Sequence, residues 1–166
     1  METIVITIHC QDDTKTVFTY DGVTLEGADL HGINLHRAML EKMKIAGANL
    51  AKANLRGSFL SGADLSDCDF RDAILVSALF NDASLARANL TNAKLNGAVF
   101  ANARLNGADL SGTDVFGAVF VKADLRGAKM LFRRIGETEF SGAIFDKHTI
   151  WPDGFEPTKN GAICRE

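Results

Sequence analysis

Every fifth residue from Leu25 to Ile150 is apolar: 26 positions in succession, 15 of them leucine and six phenylalanine, with Ile45, Val115, Met130, Ile135 and Ile150 completing the set. Two residues before most of them stands a small side chain, alanine in 17 of the 26 cases. An α-helix repeats near 3.6 residues and a strand near 2, so neither can present such a pattern to a core. A period of five needs a short extended segment, with a small and a large side chain turned inward, followed by a turn. Asn, Asp and Gly, which crowd the remaining slots, are turn formers.

Gly47-Ala48-Asn49-Leu50 and Gly107-Ala108-Asp109-Leu110 illustrate the unit. In Ala28-Asp29-Leu30, Ala53-Asn54-Leu55, Ala63-Asp64-Leu65, Ala88-Asn89-Leu90 and Ala123-Asp124-Leu125 the chain resembles the pentapeptide-repeat family, whose consensus is A-(D/N)-L-x-x. The match covers residues 21–150 with an unbroken frame. The resemblance implies an all-β fold, a right-handed quadrilateral β-helix with four pentapeptides per coil. Four sides can be checked on the residues themselves, because side chains 20 apart should then stack. Phe80, Phe100, Phe120 and Phe140 recur at that interval and predict an internal aromatic ladder. At about 4.8 Å per coil, about six and a half coils give a rod roughly 31 Å long.

We divide the chain into an N-terminal cap at residues 1–20, the β-helix at 21–150 and a C-terminal cap at 151–166. Thr3–His9 and Thr14–Tyr20, rich in β-branched and aromatic residues around Gln11-Asp12-Asp13, predict a β-hairpin covering the first coil. Val23, Ile33 and Met43 are oversized for the small slot, so the tube is expected to flare there. At the other end Arg133 and His148 occupy small inward slots, and Arg133 is expected to snorkel or pair. Trp151 and Phe155 are the expected lids of the tail.

Catalytic and metal-binding signals are absent. His31 and His36 lie on adjacent corners with Glu26 and Glu41 nearby, but that spacing matches no strong ligand set. Cys10, Cys68 and Cys164 are far apart without CxxC spacing, which fits free thiols in a reducing compartment, with Cys68 a small core residue. The filled interior leaves no room for a ligand. We therefore expect no enzyme activity, no cofactor, no metal and no small-molecule substrate. The start has no basic n-region or long apolar stretch, which predicts a soluble cytoplasmic protein without a membrane segment.

Function must then lie on the outer surface, reported by the residue preceding each central position. On one side Asp29, Asn49, Asp69, Asn89 and Asp109 alternate and suit hydrogen-bonded ladders. On the side of the phenylalanine ladder the outward residues are Met39, Phe59, Leu79, Val99 and Val119, before Glu139 ends the run. Contiguous apolar surface usually marks an interface, here for a protein partner or for a second copy as a homodimer. The leading expectation is a non-catalytic protein-interaction scaffold.

The alternative comes from the resemblance: some family members mimic DNA with an acidic rod and inhibit or protect type II topoisomerases such as DNA gyrase. Asp64, Asp67, Asp69, Asp72 and Asp82 form the one dense acidic region that could serve. Residues 21–150 nevertheless hold 15 acidic and 15 basic residues, so the net −3 arises from the termini. Such a mixture steers weakly toward a DNA-binding groove. Direct nucleic-acid binding is not expected, since no basic stripe with interleaved aromatics exists.

Overall fold

The structure, a computed structural model, describes residues 5–10, 13–21 and 24–166. Each five-residue unit from Leu25 onward is an extended stretch followed by a two-residue turn. The turn closes locally: the Ala28 N–H donates to the Leu25 carbonyl at 3.2 Å, and Ala48 to Ile45 at 3.1 Å. The second turn residue has positive φ, +71° at Gly47 and +58° at the non-glycine Lys52, the geometry of a type II turn.

Four turns return the chain above its own start. Parallel bridges join residues 20 apart, as in Asp29↔Asn49, Asn34↔Asn54, Met39↔Phe59 and Lys44↔Asp64. We name the sides A, B, C and D after those first residues. The Phe ladder lies behind side C, where rings 80, 100, 120 and 140 stack with centroids 4.7, 4.9 and 5.3 Å apart.

A complete account of backbone donors explains why the consensus carries Asn or Asp. Within one unit on side A, Leu50 donates to Asp69 of the next coil, Lys52 to Arg71, Asn49 back to Ala28, and Ala53 to Leu50 across the turn. The fifth N–H, that of Ala51, donates to the Oδ1 of Asn49. The same Asx bond recurs from His31 to Asp29 and from Arg71 to Asp69. The outward Asx thus holds the backbone, a role the consensus alone does not reveal. Inside, the central Leu/Phe residues and the alanines are fully buried. Where a hydroxyl replaces alanine it bonds back three residues, Thr113 Oγ1 to the Leu110 carbonyl at 2.7 Å and Ser58 Oγ to that of Leu55. Ile33 and Met43 pack against this core half-buried, whereas Val23 lies outside the described residues.

The frame is not unbroken at its C-terminal end. Lys129 bridges Ile150 rather than residue 149, so one extra residue enters and Ile150 points outward, 47% exposed. Asp146 absorbs the slip: its carboxylate accepts the Gly127 N–H at 2.9 Å, a bond its own carbonyl would accept in register. Thr149 then takes the slot expected for His148, its Oγ1 donating to the Leu125 carbonyl at 3.0 Å, and His148 is exposed. Arg133 is likewise outside. Its N–H donates to the Thr113 carbonyl at 2.8 Å, its Nε to the Gly112 carbonyl at 2.6 Å, and Phe132 packs inward instead. The apolar ring beside the charged residue wins the interior.

Two further elements flank the coils. Strands β1 (Val5–Cys10) and β2 (Asp13–Asp21) pair antiparallel, and Ile8 belongs to the buried cluster. The predicted turn at Gln11-Asp12 and residue Thr3 lie outside the described residues. Strand β3 (Ile144–Phe145) pairs in parallel with β4 (Ile163–Cys164), after a 3₁₀ turn at Thr158–Asn160.

Candidate interaction face

Side C brings the predicted stripe into one column: Met39, Phe59, Leu79, Val99, Val119 and Glu139 bridge in succession. Met39 is 49% exposed, while the other four apolar residues are half-buried because each leans on its neighbours one coil away. The corners extend the apolar surface with Val76 and the exposed Phe116 at the B–C edge, and Ala101 and Val121 at the C–D edge. Arg134 covers one face of Phe116, its guanidinium carbon 4.9 Å from the ring centroid.

This column has a backbone cost. With no Asx residue in the outward position, the N–H groups of Ser61, Asn81, Ala101 and Val121 have no hydrogen-bond partner among the described residues. Side A makes the Asx bond at Asp29, Asn49, Asp69, Asn89 and Asp109. Fold stability alone favours Asn or Asp on side C, yet the chain carries Phe, Leu and Val there.

The acidic residues do not gather. Asp64 is on side D, Asp69 on side A, and Asp67, Asp72 and Asp82 sit at three different corners. Two are neutralised within the chain: Asp67 pairs with Arg87 at 2.5 Å and Asp69 with Arg71 at 2.6 Å. Those guanidiniums hold both carboxyls below the usual carboxylate range. Asp124 is held low by Arg126 in the same way. For Asp109, burial raises the pKa but is outweighed by bonds from Ser111 and Lys129.

Among the described residues no group of three or more His, Cys, Asp or Glu could hold a metal ion, and no helix is long and apolar enough to cross a membrane. His31 and His36 are both exposed. Burial pushes the Cys68 thiol up to about 12, and its Sγ donates to the Ile45 carbonyl at 3.1 Å. At the C-terminal end Trp151 and Phe155 pack on Phe140, with ring centroids 5.5 and 5.7 Å away. Phe132 joins them, 5.6 Å from Phe155. Trp151 Nε1 is buried there without a hydrogen-bond partner among the described residues.

Parallel coils of 20 residues with a filled core define a β-helical solenoid. The chain belongs to the pentapeptide-repeat family: the model for pentapeptide repeats (8 copies) matches residues 44–82, 83–120 and 97–130. Among solved structures it is similar to the pentapeptide repeat protein Rfr23 from the cyanobacterium Cyanothece 51142, at 27% identity and a TM-score of 0.56 over 76% of this chain and 89% of that one. It also matches a pentapeptide repeat protein from the Arabidopsis thaliana thylakoid lumen at 29% identity, TM-score 0.32, over 61% and 68% of the two chains. QnrB1, a plasmid-mediated fluoroquinolone resistance protein, matches at 21% identity, TM-score 0.49, over 72% and 67%. No curated protein matches the sequence. The family and its solved members make the coil a right-handed β-helix.

Proposed function

We propose that this protein is a non-catalytic scaffold that docks a protein partner or a second copy of itself on side C. The observation that carries the reading is the replacement of Asn and Asp by Phe59, Leu79, Val99 and Val119, which leaves a column of backbone donors unbonded. Among the described residues, sides B and D also lack the Asx bond on some coils, at Val76, Asn96, Ala86 and Asn106. Side C lacks it on four coils in succession with an apolar residue outward each time, more than strand propensity asks of single positions. Contiguous apolar area of this kind is what interfaces bury.

The remaining parts serve that face. About six and a half coils at 21–150 form the rod; the hairpin at 1–20 and the tail at 151–166 cover its ends against edge-to-edge stacking. We place the protein in the cytoplasm, acting without cofactor. DNA mimicry toward DNA gyrase ranks below this reading, because the acidic residues are spread around the girth and two of them are ion-paired. A gyrase supercoiling assay separates the two: inhibition or drug protection at low micromolar protein reverses the order. The direct test is Val99→Lys with Val119→Lys in the full chain, followed by mass in solution and affinity capture from the host. A folded variant with the same oligomeric state and the same partners would sink the docking reading.

A further inference from the structure

Resting on the reading of side C as a docking face, we infer that its occupant is a second copy of this chain, lying antiparallel with a two-fold axis through the Val99 rung. The argument is symmetry. A two-fold axis lying across the face reverses the order of coils while keeping each corner against the same corner of the other copy. Val99 then meets Val99, and Leu79 meets Val119.

The charges bordering the patch obey the same symmetry. Asp82 and Lys122 both stand at the C–D corner, one coil below and one coil above the axis. Each therefore faces the other's counterpart across the interface, twice. At the B–C corner two coils out, Arg56 faces Glu137 of the second copy, while Glu139 on that rung faces Phe59 and marks the end of the apolar contact. All four of Asp82, Lys122, Arg56 and Glu137 are exposed, and none makes an ion pair among the described residues. In the parallel arrangement the two corners exchange places. Asp82 would then face Val76 and Lys122 would face Phe116, so neither of these two charges meets an opposite one. The Arg37–Glu41 approach on the Met39 rung is the one opposite-charge contact that arrangement offers. An axis moved to the neighbouring rung also loses the Asp82–Lys122 match.

A strip spanning five coils at about 4.8 Å each is about 24 Å long, and such a face buries less than the roughly 800 Å² per partner of a stable complex. The dimer is accordingly expected to be weak, with a dissociation constant on the order of 10–1,000 μM.

Sedimentation equilibrium of the full chain from about 10 μM to 1 mM tests this, with circular dichroism to establish that each variant is folded. Lys122→Asp opposes two carboxylates at each of two symmetric contacts and raises the dimer dissociation constant by about tenfold or more. Adding Asp82→Lys restores it to within about threefold. Both positions already hold charged residues at positive φ, +59° and +57°, so the exchange suits the backbone. Arg56→Glu with and without Glu137→Arg is the independent second pair. A wild-type chain that stays monomeric to 1 mM, or double exchanges no stronger than the single ones, overturns the self-pairing. If that happens while Val99→Lys still abolishes capture of a host protein, the docking face stands and only its occupant is wrong.

Discussion

Replacing Phe100 by alanine removes a ring held between two others, 4.7 Å from Phe80 and 4.9 Å from Phe120, with no exposure to solvent. The coil around it cannot collapse into the gap. Phe100 N–H is bonded to the Val119 carbonyl at 2.7 Å and its own carbonyl to Ala103 N–H at 3.0 Å, so the rung keeps its height. The transfer and cavity costs together come to about 3–5 kcal/mol, with the two lost ring stacks placing it in the upper part of that range. For a chain of this size that lowers the melting temperature by about 6–20 °C. Phe100→Leu, which copies Leu60 on the same side, should cost about 1 kcal/mol. Thermal and urea unfolding followed by circular dichroism and by the single tryptophan supply the measurement. Coincidence of the two probes establishes whether the rod unfolds as a unit, as repeat architectures need not. If Phe100→Ala proves no more damaging than a surface change such as Lys94→Gln, the stacked core is wrong.

Three further outcomes are expected. Gly112→Ala should cost about as much as Gly47→Ala, about 1–2 kcal/mol, since both sit at φ near +70° and the Asn92 Oδ1 that the new methyl meets at Gly112 ends an exposed side chain free to turn away; a markedly larger cost at Gly112 in matched urea melts would contradict this. In native protein Cys164 reacts with a thiol reagent at neutral pH while Cys68 does so only on unfolding, as mass spectrometry of labelled peptides can determine. The carboxyls of Asp67, Asp69 and Asp124 are lower in the folded chain than unfolded, so their stabilisation is complete above about pH 4 and disappears as pH falls through that value toward their folded pKa values. A melting temperature unchanged from pH 6 to pH 2.5 would contradict the pairing, and Arg126→Ala should flatten part of the acid decline.

The coil was readable without coordinates because its determinants are local and repeat. A fixed spacing of large and small apolar residues makes each five-residue unit one side of a coil, the square winding is what the family resemblance implies, and the Phe interval of 20 supports four sides. The column of Met39, Phe59, Leu79, Val99 and Val119 followed from the same arithmetic. Where the repeat fades, spacing stopped being informative. Arg133 and His148 hold inward slots by counting, yet the tertiary structure gives those places to Phe132 and Thr149, because desolvating a guanidinium or an unbonded imidazole costs more than bending one turn. Ile150 continues the period of five in sequence but faces solvent, since Asp146 satisfies the Gly127 amide and shifts the register. The pairing of Asp67 with Arg87 also arises only once distant coils are stacked, because it depends on which groups meet across 20 residues of intervening chain, whereas the unbonded amides of side C follow from the missing Asx two residues back.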